Sequence, residues 1–230
     1  MPKSDPSAPS KATTENINHL IQIDDKHWLH PATHEAFLAM RQAAKNDGIC
    51  IDIASSYRSV ERQLAIWNAK WEGKRMLYQR DMTPVNAHDL SDEEKLHCIL
   101  TFSALPAASR HHWGTDLDVY DAQAMAKAGL DLELVESEYI GDGPCAPLHH
   151  WLLEHANTFG FSFPYAEDKG GIAKEPWHIS HTIEAQRYMA ALTLTELEKH
   201  IQNMPILGKE SILQHLPLIY RQYVLNEGIE

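Results

Sequence analysis

Three short segments of this chain gather the residue types of metal-assisted hydrolysis. The first is Ser109-Arg110-His111-His112-Trp113-Gly114-Thr115-Asp116-Leu117-Asp118. In a single helix His111 and Asp118 would stand ~10 Å apart along the axis. That is too far for bonds of ~2 Å to one ion. Gly114 and the alternation after it predict instead a turn entering a strand, which brings His111 back towards Asp118. Asp116 and Asp118 then share one strand face. A polar turn with solvated aspartates would have the same composition. The second segment is Glu175-Pro176-Trp177-His178. Pro176 pushes Glu175 towards an extended conformation, and on an ideal strand residues three apart face opposite ways. Glu175 and His178 serve one site only if the chain bends near Pro176. The plainer alternative is a buried Trp with a hydrogen-bonded His.

The third segment is Ser55-Ser56-Tyr57-Arg58-Ser59, between a strand and a helix. An Arg there can bind a carboxylate or a developing oxyanion through its fork of donors. Structurally it could be no more than a helix start capped by Ser59. Together the segments can bring two His, one Asp, one Glu and one Arg to one site, all near strand ends. Three protein ligands with an open position is the pattern of a catalytic zinc, whereas structural zinc is usually closed by four. Zinc lowers the pKa of its bound water to near ~7, and a carboxylate takes the proton.

SSYRS at 55–59, SRHHWGTDLD at 109–118 and EPWH at 175–178 resemble the signatures of the zinc D-alanyl-D-alanine carboxypeptidase family, the VanY-like and VanX-like peptidases of peptidoglycan metabolism. That family's pattern is Ser-x-His-x-x-Gly-x-Ala-x-Asp, then Glu-x-x-His. The resemblance implies that His111, Asp118 and His178 bind Zn²⁺. It implies that Glu175 is the general base and then the acid, and that Arg58 stabilises the oxyanion. Ser109, Ser56 and Tyr57 are expected at the substrate. His112 is the rival of His111, but Gly114 stands three after His111, as the pattern demands. Asp116 departs from the pattern, which has Ala there. It could tune the metal, meet a substrate amine, or point away. The implied substrate is a peptidoglycan peptide or dipeptide ending in D-alanine. The same site could serve an L,D-carboxypeptidase, a D,D-dipeptidase or a wall-peptide endopeptidase, and a zinc-stabilised binding module without turnover is a further alternative. A chain of net charge −12 needs a local cation for the substrate's carboxylate, and Arg110, Lys74 or Arg75 could supply it.

The elements that must position these residues follow from periodicity. Helices are expected over 33–47, capped at Thr33, over 60–71, and from the capping box Ser91–Glu94 towards Leu100. Strands are expected over 49–55, 116–120 and 176–181. Residues 72–90 read as a long excursion of the kind that borders sites. Pro147 opens a helix, Gly160 stops it, and the pattern from 182 onward is helical. This predicts an α+β fold: a small, mostly antiparallel sheet flanked by helices, with a helical C-terminal extension. Residues 1–17, rich in Ser, Pro, Thr and Lys, are expected to be a disordered arm. Residues 18–182 are the expected peptidase domain, and 183–230 an extension packed on it.

The 230 residues suit one domain with a tail. No Lys/Arg block stands out, so nucleic acid and anionic membranes are poor partners, and no apolar run approaches a membrane span. Cys50, Cys98 and Cys145 are too scattered for a disulfide framework or a Cys-zinc site. The start carries no apolar signal region. The expected compartment is cytoplasmic if this start is native, and periplasmic or extracellular if a signal has been removed.

Overall fold

A computed structural model describes residues 19–228, and the expected arm at 1–17 lies outside them. Strands β1 (Ile21–Gln22) and β2 (Trp28–Leu29) form a short antiparallel pair. Helix α1 (Pro31–Asn46) begins two residues before the expected start. Pro31 takes the first turn, where its missing N–H is no loss. Thr33 is therefore a buried first-turn residue, and His30 is the cap. Strand β3 (Asp52–Ser55) is shorter than 49–55, because pairing starts only at Asp52. Helix α2 (Val60–Trp71) is capped by Ser59, whose Oγ accepts from Arg62 N at 3.1 Å.

The excursion folds into a small hairpin, β4 (Leu77–Tyr78) with β5 (Pro84–Val85). Helix α3 (Asp92–Phe102) opens on the Ser91–Glu94 capping box. Strand β6 (Asp116–Tyr120) follows a tight turn at Arg110–Trp113 closed by Gly114. Then come α4 (Ala122–Ala128), α5 (Ala146–His155), β7 (Phe161–Ser162) and β8 (His178–His181). The chain ends in α6 (Thr182–Ala191), α7 (Leu194–Asn203) and α8 (Lys209–Ile219), the last running into a π turn at Tyr220–Val224.

The main sheet has the order β3-β6-β8-β7, and every pair is antiparallel. With helices on it, this is the expected α+β class. One face carries Leu117, Val119, Ile179 and Phe161 against α1 and α5. By alternation Asp116 and Asp118 project from the opposite face. A second apolar cluster joins α2 and α3 to α7 and α8 through Trp67, Leu96, Ile99, Leu197, Ile201 and Leu216. The C-terminal helices thus share one core with the helix that follows Arg58.

Candidate metal centre

Register places the central acid. Asp118 on β6 pairs with Ser55 on β3 and directly with His178 on β8. One row across three strands thus carries the end of the first segment, the end of the second and the start of the third. His111 reaches the row from the turn before β6. Gly114 closes that turn at φ +68°, and an added Cβ would lie 2.6 Å from Leu20 Cδ2 and 3.0 Å from His30 N. Only glycine fits there. The bend required of the second segment exists: His178 N donates to Glu175 O at 3.0 Å, and β8 starts only at His178. Glu175 Oε2 comes within 3.3 Å of His178 Nδ1.

Each imidazole is oriented by its far nitrogen. His111 Nδ1 donates to Ser56 O at 2.8 Å, which leaves Nε2 3.3 Å from Asp118 Oδ2. His178 Nε2 donates to Asp116 Oδ1 at 2.9 Å, which leaves Nδ1 3.2 Å from Asp118 Oδ1. One ligand atom each from His111, Asp118 and His178 falls within 4.8 Å of the others. All three side chains are buried, yet Asp118 Oδ1 and His178 Nδ1 have no hydrogen-bond partner among the described residues. Buried polar atoms are rarely left so. These two orphans converge with the oriented His111 Nε2, and a set of two imidazole nitrogens and a carboxylate fits a divalent cation.

Charge agrees with that fit. Burial disfavours the charge of Asp118, but His111 and His178 hold its carboxyl below the usual range. Burial likewise opposes a charged His178, and Asp116, Asp118 and Glu175 outweigh it, raising its pKa well above the usual imidazole value. A field that would hold a proton there also suits a metal cation.

The remaining expected residues divide. Arg58 donates from Nη1 to Gln63 Oε1 at 3.0 Å and from Nη2 to Ser55 Oγ at 2.9 Å. Its backbone N–H donates to His111 O at 3.1 Å, tying it to the metal turn. Ser56 supports His111, and its Oγ accepts from Trp28 N at 3.3 Å. Ser109 is buried at the start of the metal turn. Tyr57 lines a cavity of about 510 Å³ with Trp113, Tyr188 and His200. His112, the rival ligand, turns away and donates Nδ1–H to Arg58 O at 2.6 Å.

Two results were not legible in the segments. Arg110 is not a free cation: it grips Asp116 Oδ1 through Nε at 2.7 Å and Ser180 Oγ through Nη2 at 2.6 Å. Lys74 is paired with Glu72 at 2.6 Å. The spacing of Asp116 and Asp118 announced a shared face, but only the sheet register separates a metal-facing acid from its support.

The sequence model of the VanY family, described as D-alanyl-D-alanine carboxypeptidase, matches residues 26–183. A Haemophilus influenzae protein, itself uncharacterised, is 31% identical over 127 residues, covering 54% of this chain and 96% of the relative. Among solved structures, VanYB in complex with D-alanine-D-alanine aligns with a TM-score of 0.52 at 21% identity, covering 82% of this chain and 90% of that one. A vancomycin-resistance D,D-pentapeptidase VanY in complex with Zn(II) aligns at 0.50 with 23% identity, covering 77% and 87%. At these identities the two structures speak for the fold. Among the described residues, no helix is long and apolar enough to cross a membrane.

Proposed function

The chain belongs to the VanY family of D-alanyl-D-alanine carboxypeptidases, and on that premise we propose that it is a zinc-dependent carboxypeptidase removing the terminal D-alanine from peptidoglycan peptides. The observation that carries this reading is the convergence of His111, Asp118 and His178, with Glu175 against the cluster. A binding module has no need of a base at that position. The names of two structural relatives, one with D-alanine-D-alanine and one with Zn(II), support the substrate and the metal.

His111 Nε2, His178 Nδ1 and an Asp118 carboxylate oxygen are the donors that would hold zinc. A zinc ion held there supplies a water of lowered pKa and a Lewis acid for the scissile carbonyl. Glu175 takes a proton from the attacking water at its carboxylate and returns it to the leaving amine. Arg58, fixed by Gln63 and Ser55, donates to the oxygen that becomes negative as the carbonyl is attacked. Ser56 and Asp116 hold the two imidazoles with their free nitrogens inward. Ser109, buried at the start of the metal turn, is assigned to the peptide because it stands where the family pattern has its Ser.

Mass spectrometry of a muropeptide pentapeptide ending in D-Ala-D-Ala, incubated with the zinc-loaded chain, tests the reading. Loss of one D-alanine is expected. An intact pentapeptide with zinc confirmed in the sample would overturn the D,D-carboxypeptidase assignment. Cleavage of a tetrapeptide instead would move the activity to the L,D bond.

A further inference from the structure

A second polar wall stands next to Arg58, and none of the three sequence signatures contains it. Gln63, which holds Arg58, also donates through Nε2 to Ala104 O at 2.7 Å. Lys70 lies seven residues, two turns, further along α2 and so on the same helix face. Its Nζ donates to Ser103 Oγ at 2.7 Å, one residue before Ala104. The α3 end they share is fastened to the loop that carries the base: Ala173 N donates to Thr101 O at 2.9 Å. The hydrogen bonds thus run continuously from Arg58 through Gln63 and 103–104 to Lys70, with the approach to Glu175 alongside.

This wall carries too many cations for its acids. Lys70 is partly buried, yet among the described residues no carboxylate comes within 4.0 Å of its Nζ, and the same holds for Arg58 and Arg75. Burial, then Arg75, pulls the Lys70 ammonium down to about 8, with Glu175 opposing and Arg58 adding to the fall. Glu175 is committed to the proton in the proposed reaction. An ammonium out of water without a counter-charge is costly, and such costs persist where a ligand supplies the missing charge.

We propose that Lys70, seated on Ser103, receives a carboxylate of the bound peptide. The inference rests on the carboxypeptidase reading, which requires a peptide beside Arg58. It takes over the role that the sequence left to Arg110, Lys74 or Arg75: Arg110 and Lys74 are otherwise paired, and Arg75 is exposed where Lys70 is partly buried. A wall peptide offers two such groups, the free C-terminal carboxylate and a side-chain carboxylate, and both have the chemistry Lys70 suits.

The test uses Lys70→Met, which keeps most of the stem and removes the charge, with Lys70→Arg as the conservative rescue. Zinc-loaded wild type and variants are assayed on a pentapeptide, on its C-terminal amide, and on a version amidated at the side-chain carboxylate. A charge-assisted hydrogen bond is worth roughly a 10–100-fold change in KM. The expected result is a rise in KM of about that size for Lys70→Met, with kcat within a few-fold and partial recovery in Lys70→Arg. The amide that costs wild type the same factor, and the variant nothing, identifies the carboxylate. A Lys70→Met protein with unchanged KM that still discriminates between acid and amide overturns the proposal and leaves Lys70 a structural residue.

The same comparison is made by calorimetry on Glu175→Gln protein with and without Lys70→Met, using an N-acetylated D-Ala-D-Ala acid and its amide. If wild type turns over no peptide, the carboxypeptidase reading fails separately. Binding of the acid over the amide that depends on Lys70 would then still support the subsite. Binding indifferent to Lys70, or no binding, would overturn it.

Discussion

Asp116 Oδ1 accepts a hydrogen bond from His178 Nε2 at 2.9 Å and a second from Arg110 Nε at 2.7 Å, while Thr115 Oγ1 donates to Oδ2 at 2.7 Å. Asp116 is fully buried, and it pairs in register with Ser180 while Asp118 pairs with His178. The sheet face therefore has two layers, a metal-facing pair and a supporting pair behind it. The supporting carboxylate fixes the imidazole tautomer with Nδ1 free to coordinate. Where the family pattern has Ala, this chain has built an anchor.

That anchor sets the metal affinity. Asp116→Asn is expected to weaken zinc binding by roughly 10–100-fold, the usual cost of losing such a partner. Competition with a chromophoric chelator measures it, with melting of the metal-free protein as the control for folding. An unchanged dissociation constant would reduce the contact to ordinary packing. Asp116→Ala should also destabilise the fold, because the Arg110 guanidinium loses its only carboxylate partner within ion-pair range among the described residues.

Glu175 and His178 should separate by readout. Glu175→Gln keeps the three donors and loses the base, so zinc stays near one per chain while turnover falls roughly 10²–10⁴-fold. His178→Ala removes a ligand, and zinc should leave with it. Metal analysis after dialysis, beside single-turnover rates, checks both. Full activity in Glu175→Gln would remove the carboxylate from the mechanism.

Gly114→Ala tests the turn that carries His111. A non-glycine residue in the left-handed region costs about 1–2 kcal/mol, and the new methyl would also press on Leu20 and the backbone of His30. Thermal midpoints in a chain of this size fall by about 2–4 °C per kcal/mol. A lower midpoint and weaker zinc retention are expected together. If neither changes, the turn does not hold His111 as described.

The three thiols should be inert. Burial pushes Cys50 up to about 11, helped by its hydrogen bond to Asp52. Burial raises Cys98 and Cys145 as well. Because the thiolate is the reactive form, iodoacetamide at pH 8 should label the native chain slowly and the denatured chain at all three positions. Rapid labelling of one native cysteine would contradict these environments.

How much of this was written in the sequence depends on range. The grouping of His111, Asp118 and His178 was legible only from the three signatures taken in order and the family they resemble, since each segment alone reads equally as a polar turn or as a buried Trp with a hydrogen-bonded His. Helix α2 with its Ser59 cap and α3 with its capping box were legible because each sits in a local pattern that the chain itself announces. Strand β8 was expected from 176, but the Glu175–His178 turn consumes Pro176 and Trp177 and delays pairing to His178. The hairpin of β4 and β5 is two residues per strand and carries Pro84, too short for alternation to show. Helix α4 was missed although Asp121 caps it, with Oδ1 accepting from Ala124 N at 2.8 Å, and Gly129 ends it. Its seven residues hold too little periodicity to register. The work of Asp116, Arg110 and Lys70 depends on which strand or helix end lies opposite, and no local window contains that.

The loop before Glu175 is clasped from two distant parts of the chain. Arg80, from the hairpin, donates through Nη2 to Gly170 O at 3.0 Å and Gly171 O at 2.6 Å. Gln222 Nε2 donates to Gly170 O at 2.6 Å, and the backbone of Gln222 lies so close that only a glycine fits at 171. Protein synthesis runs from the N-terminus, so Gln222 leaves the ribosome after every metal donor and after the base. The strap on the Glu175 loop is therefore made after every residue it serves.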